Sequence, residues 1–259
     1  MKEYLPWSEE TLNTAIEKYR NGRFSILDIQ LSGECNGNCT YCDSPDRNKM
    51  CTINFDALEN LISKEDCLFD WMFVCGLGEP LAGSNKEKFL YLLGLCEKYG
   101  IRCSTFTNGS LIDNQIISYV KKGVLFLMIK MDSFSVNIAE ELYGSSVVAR
   151  KNLEAINVLF ELAKTVKSDY CHIGASIVPT QKNVNEIPAI IEKCLAQGVF
   201  PLIAELEYSG KSIEDTYDDL HLTRDEHLIL KDKIEQVLGE KYKVPVCPAV
   251  IRSEERRVV

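Results

Sequence analysis

The chain has 259 residues, 46% of them hydrophobic, and a formal net charge of −9 at pH 7. That size fits one α/β domain, or one domain with an appendage, around a large core. The acidic balance argues against a general nucleic-acid binder, and no apolar run approaches membrane-spanning length, so neither nucleic acid nor a membrane is an expected partner. Met1 to Arg20 is charged and polar, unlike a signal peptide. Eleven cysteines without an export signal then point to a reducing cytoplasm.

Ser8 precedes an amphipathic segment, Glu9 to Tyr19, which predicts a short lead-in helix closing at Asn21-Gly22. Phe24 to Leu31 reads as the first strand, Asp56 to Ile62 as a helix and Trp71 to Cys75 as the second strand. Ser84 and Glu87 have capping-box spacing for a helix that stops at Gly100. Ile101 to Phe106 is the third strand, Asp113 to Lys122 a helix with Gly123 at its stop, and Val124 to Met131 the fourth strand. Leu153, Ile156, Phe160 and Ala163 recur at helical spacing. His172 to Val178 is the fifth strand. Ile187, Ile190, Ile191, Cys194 and Leu195 mark one helix face, with Pro188 in the first turns, where proline is tolerated. Val199 to Leu206 is the sixth strand. Thr223 and Glu226 cap a last helix carrying Leu230, Ile234, Val237 and Leu238.

Strands alternating with helices imply parallel strands joined by right-handed crossovers. Six units are too few to close an eight-strand barrel. The expected fold class is therefore α/β: an open, partial (βα)6 TIM-like barrel with an N-terminal lead-in helix and a short C-terminal helical extension. The expected divisions are 1–22, 23–210 and 211–259.

Cys35, Cys39 and Cys42 form a CxxxCxxC loop straight after the first strand. A loop of that size can turn its sulfurs toward one centre, and thiolates hold zinc or iron–sulfur clusters. Three ligands leave a position open, as a reactive site requires. A zinc knuckle completed by Cys51 is the competing reading. Cys96 and Cys194, inside helical patterns, read as small buried apolar residues.

Ligands of parallel α/β sheets collect beyond the carboxyl ends of the strands. There the chain places Gly76-Leu77-Gly78-Glu79-Pro80, then Thr107-Asn108-Gly109, then Lys130, Asp132 and Ser133. Glycine permits close backbone approach, and the Glu79 carboxylate can accept hydrogen bonds from an ammonium. Lys130 and Asp132 share a strand face by the period of two, as do Glu205 and Glu207 at the sixth strand. An inward glutamate in an apolar barrel is costly unless paired. Glu205 and Glu207 are therefore the catalytic candidates, one of them meeting substrate or Lys130. His172, His221 and His227 share no ligand spacing and are assigned no catalytic role.

The CxxxCxxC spacing, with Tyr41 directly before the third cysteine, resembles the radical S-adenosylmethionine (SAM) superfamily, and the resemblance covers roughly Phe24 to Gly210. It implies that Cys35, Cys39 and Cys42 bind three irons of a 4Fe-4S cluster, the fourth iron being chelated by the amino and carboxylate groups of SAM. The Gly78-Glu79-Pro80 turn is similar to the family's GGEP motif, with Leu77 in place of the first glycine, and so is implied to hold the SAM amino group. Thr107 and Asn108 resemble the family's TNG turn beside the cofactor. By the same resemblance Lys130, Asp132 and Ser133 meet the SAM carboxylate or ribose, Ser176 and Asn183 contact the ribose, and Tyr41 packs near the adenine.

The implied reaction is reductive cleavage of SAM to a 5′-deoxyadenosyl radical, which abstracts hydrogen from a small-molecule or peptide substrate. The electron comes from an external donor such as flavodoxin or ferredoxin. The alternatives are a glycyl-radical-enzyme activating enzyme and a non-catalytic zinc or iron–sulfur module. Relatives often carry auxiliary clusters in C-terminal SPASM or twitch extensions. Cys247, before Pro248, is compatible with the first ligand of such an extension, and Glu254 to Arg257 reads as an unstructured tail; the two readings are a protein with one cluster only and a chain shortened before such a domain, the second being favoured.

Overall fold

Six parallel strands in the order β1-β2-β3-β4-β5-β6 form one sheet in the computed structural model. The structure describes residues 26–43, 52–63, 69–165, 173–204, 210–213 and 217–238, with isolated positions at 17, 20, 21, 48 and 206. The lead-in helix, Cys51, His172, Glu205, Glu207, Cys247 and the C-terminal tail lie outside the described residues, apart from those isolated positions.

The strands are β1 (Ile26–Ile29), β2 (Trp71–Val74), β3 (Arg102–Thr107), β4 (Leu125–Lys130), β5 (Ile173–Ile177) and β6 (Phe200–Ile203). Between and after them run α1 (Phe55–Ile62), α2 (Gly83–Tyr99), α3 (Asn114–Lys121), α4 (Val136–Tyr143), α5 (Ser146–Thr165), α6 (Ile187–Ala196), α7 (Tyr217–Leu220) and α8 (Arg224–Leu238). Each strand pairs with the next in the chain, and β1 and β6 remain edges, so the sheet is open as the unit count requires.

Alternate strand residues serve two cores. Met72, Val74, Leu125, Leu127, Ile129, Ile173, Ala175 and Ile177 face the helices and are almost fully buried. Phe126, Met128 and Phe200 form a second cluster on the concave face, with Trp71, Phe106 and Leu202 packed against it. Burial on both faces is why β4 reads as a continuous apolar run rather than an alternating one. Cys96, Cys103 and Cys194 are fully buried, as small apolar residues would be.

Helix ends follow local chemistry in most places. Asp113 Oδ1 accepts from Gln115 N and Ile116 N to start α3, and Thr223 and Glu226 form the reciprocal cap of α8. Gly100, at φ 68°, closes α2. The capping box expected of Ser84 and Glu87 does not form. The helix begins earlier, with Ala82 as N-cap, and Ser84 N and Oγ instead donate to the Glu34 carboxylate at 3.0 and 2.5 Å. A long-range acceptor thus replaces the local one. β6 ends at Ile203, short of the expected Leu206, and α4 was not anticipated. No helix among the described residues is long and apolar enough to cross a membrane.

Candidate cofactor site at the strand ends

The cysteine loop leaves β1 and is gripped on both flanks. Asn38 N donates to Tyr143 O at 2.9 Å and Thr40 N to Leu142 O at 3.0 Å, so the last turn of α4 forms one wall. That helix ends at Gly144 with φ 60°, and a Cβ there would overlap the Asn38 carbonyl. Only glycine allows that backbone angle and that approach together. On the other flank Lys211 N donates to Cys42 O at 2.9 Å and Lys211 Nζ to Asn38 Oδ1 at 2.5 Å.

The three thiols are partly exposed. A Cβ added at Gly37 would stand 3.8 Å from Cys35 Sγ and 3.9 Å from Cys39 Sγ, so the glycine leaves clear the space beside both sulfurs. No three Cys, His, Asp or Glu groups among the described residues are arranged to hold a single metal ion. Partly exposed soft ligands beside a cleared space suit a multi-iron cluster.

One buried carboxylate stands on each side of the loop. Glu79, 3% exposed, accepts from Thr107 Oγ1 (2.5 Å) and Leu81 N (3.2 Å) on one oxygen and from Asn108 N (2.8 Å) on the other. Burial pushes its pKa up, opposed by these bonds and by Lys130. Glu79 N donates to Glu34 O at 2.8 Å. Gly78, at φ 68°, lies so close to this strand end that a Cβ would come within 2.5 Å of Ser32 O and 2.8 Å of Gly33 C. Asn85, fully buried, ties the same parts together. Its Nδ2 donates to the carbonyls of Ser32, Glu34 and Glu79, and its Oδ1 accepts from Ser32 N and Oγ. Asn108 Nδ2 donates to Asn36 Oδ1 at 2.9 Å, and Asn36 Nδ2 to Ser110 Oγ at 2.8 Å, so the turn after β3 holds the cysteine loop directly.

Across the loop, Lys130 Nζ lies 3.2 Å from Cys39 Sγ and 3.9 Å from Asp132 Oδ2. It stands over the rings of Tyr41 (4.2 Å) and Tyr143 (5.1 Å). Burial works against its charge, but Cys39 and Asp132 outweigh it and hold its pKa above the ordinary lysine value. Asp132 is fully buried and accepts from Tyr41 OH and from Val178 N at 2.8 Å. Burial raises its pKa against the pull of Lys130 and these bonds. Burial, then Asp132, pushes the phenols of Tyr41 and Tyr143 well up.

The remaining residues singled out from the sequence divide into two groups. Ser176 is level with Lys130 and Leu202 in the ladder, at the rim. Ser133 Oγ donates to Glu186 Oε2 at 2.7 Å, tying the end of β4 to α6. Asn183 Oδ1 accepts from Thr180 N and Oγ1, while its Nδ2 donates to Asp132 O and Val178 O. Ser133 and Asn183 thus brace the frame behind Asp132. Sequence reasoning missed Glu34, Asn85, Tyr143 and Asn152. Only Tyr143 carried a signal, the following glycine as a helix stop.

Fold and site together define an open parallel barrel with a three-thiol loop at its strand ends. Residues 29–194 match the radical SAM superfamily, which is more than half of the chain, and the protein belongs to that superfamily. An uncharacterised protein of Methanocaldococcus jannaschii is 32% identical over 108 residues, 41% of this chain and 34% of that one. Among solved structures, SuiB of Streptococcus suis bound to its precursor peptide SuiA aligns with a TM-score of 0.58 at 18% identity, over 91% of this chain and 53% of SuiB. The enzyme anSMEcpe with bound AdoMet aligns with a TM-score of 0.58 at 19% identity, over 83% of this chain and 57% of that one. The chain thus spans about a third of the curated relative and just over half of these structures. At such identities the structural likeness speaks for the fold.

Proposed function

We propose that this chain reductively cleaves SAM at a 4Fe-4S cluster held by Cys35, Cys39 and Cys42, and so removes hydrogen from a peptide or small-molecule substrate. The observation that carries the reading is the pinned three-thiol loop set between the Glu79 and Lys130 arms at the open end of a parallel barrel. When bound, cluster and SAM supply an electron-driven scission of the S–C5′ bond and a 5′-deoxyadenosyl radical that abstracts hydrogen. The chain's own residues bind and orient. The Gly78-Glu79-Pro80 turn, with Thr107 and Asn108, offers acceptors for the SAM amino group. The Lys130 ammonium suits the SAM carboxylate. Tyr41, Asp132 and Ser176 border the same rim, on the side assigned to the nucleoside. Below the rim, Trp71, Phe106 and Leu202 line an apolar floor that limits water.

A peptide substrate is supported by the precursor peptide bound to SuiB. The reading also requires an external one-electron donor, and a reducing cytoplasm, which suits eleven cysteines. The test is anaerobic reconstitution, with iron counting and assay of 5′-deoxyadenosine from SAM under a chemical reductant. About four irons per chain and turnover are expected. Cys35→Ala, Cys39→Ala and Cys42→Ala should each lower product formation to below roughly 1% of wild type. Undiminished cleavage in any of them would refute the ligand assignment.

A further inference from the structure

The β3–β4 ladder ends at the Thr107–Ile129 pair. The next two carbonyls, of Asn108 and Lys130, are met by a single side chain from outside the sheet. Asn152, on α5, donates from Nδ2 to Asn108 O at 2.8 Å and to Lys130 O at 2.7 Å. The residue is fully buried, and its Oδ1 accepts no hydrogen bond from the described residues. The amide orientation is settled by its surroundings, because the flipped amide would aim an oxygen at two carbonyl oxygens. Ala155, one turn further along α5, would contact a Cβ at Gly109 at 3.4 Å, so this helix is seated against the very turn that carries Asn108.

Both carbonyls belong to residues that face the cysteine loop from opposite sides. Asn108 N donates to Glu79, and the Asn108 side chain holds Asn36. Lys130 Nζ approaches Cys39 and Asp132. One amide nitrogen therefore joins the two arms where the strand ladder no longer does. An unpaired buried acceptor is costly, and a leucine could fill similar space without that cost. What the amide adds is the spacing of the two strand ends.

We propose that Asn152 is a positioning residue for the SAM site: it sets the gap between Asn108 and Lys130, and so the span between the acceptors at Glu79 and the Lys130 ammonium. This rests on the SAM-cleaving reading above. Loss of the amide lets the arms drift, which weakens SAM binding while the cluster, held by the loop itself, still assembles.

The experiment compares reconstituted wild type, Asn152→Leu and Leu159→Ala. Leu159 is a buried core residue about two turns further along the same helix, with an aliphatic side chain that makes no hydrogen bond to either carbonyl. Iron content, melting temperature, KM and kcat for 5′-deoxyadenosine release, and the SAM titration of the reduced cluster's EPR signal are measured for each. Asn152→Leu is expected to keep its iron, to raise the KM for SAM about tenfold with kcat changed less than about threefold, and to need correspondingly more SAM to shift the EPR signal. Leu159→Ala should lower the melting temperature but leave the KM in place. Asn152→Ala, which adds no bulk, gives the same comparison if the leucine variant does not accumulate. A wild-type KM in the Asn152 variants, or an equal KM rise in Leu159→Ala, overturns the proposal. A wild-type protein that carries its cluster yet shows no response to SAM overturns the functional reading, and this inference with it.

Discussion

Glu79 and Asp132 are both buried carboxylates beside the cysteine loop, and burial raises the pKa of both. They are held in different ways. Glu79 is held by two backbone N–H groups and a threonine hydroxyl, all from its own turn or the adjoining strand end. Asp132 takes one backbone N–H, that of Val178, on one oxygen, and its other oxygen relies on Lys130 and on Tyr41, a residue of the cysteine loop itself. Backbone donors are fixed once the strands pair, so the Glu79 arm is a rigid reference. The Asp132 arm depends on charged and aromatic side chains that answer to the state of the loop. Arms of unequal stiffness can hold one end of a ligand while the other adjusts to it.

The largest effect beyond the cysteines should follow from breaking the stiff arm. Gly78→Ala forces a Cβ onto the backbone of residues 32–34 at a left-handed φ. A loss on the order of 3 kcal/mol, or roughly 10 °C in melting temperature, is expected by calorimetry. An unchanged melting temperature would show that the Glu79 arm is softer than its backbone bonding implies.

The next effect belongs to the other arm. Lys130→Met leaves Asp132 buried without its cation, at a cost of up to about 3 kcal/mol. Asp132 already has a pKa above its ordinary value, so its contribution to stability is fullest at low pH and falls as pH rises through the folded-state pKa. Without Lys130 that pKa rises further. The deficit against wild type in urea melts should therefore widen as pH rises from the acid range toward neutrality. A deficit independent of pH would mean that Lys130 acts by packing alone.

The smallest effect tests the cavity side of the Glu79 turn. Burial pushes the Cys75 thiol up to about 11. In cluster-free protein, its alkylation by iodoacetamide near pH 8 should run about a hundredfold slower than at an ordinary thiol and climb with pH, followed by peptide mass spectrometry. Fast labelling at neutral pH would place Cys75 in open water.

Much of this architecture was readable because it is written in short-range patterns. The apolar run of β4, the helical spacing in α5 and α6, the Thr223–Glu226 cap and the glycine stops each depend on neighbours within a turn or two. The unread parts depend on distant partners. Ser84 looks like a helix cap but serves Glu34. Asn85 and Asn152 each sit among other polar residues of a helix, and no periodicity distinguishes a buried, strand-tying amide from a solvated one. Among the eight residues of α4, Ile138, Ala139, Leu142 and Tyr143 form an apolar patch too brief to separate from loop.

From the sequence alone came the alternation of strands and helices, the trio of thiols and the glycine-bearing turns, since repeat spacing and local backbone freedom are properties of adjacent residues. Only the folded chain decided that α4 and Lys211 clamp the cysteine loop, that Tyr41 reaches Asp132, and that Asn152 spans the gap between β3 and β4. Those pairings form between groups far apart in sequence, and only the packing of helices onto the sheet brings their donors and acceptors within hydrogen-bonding distance.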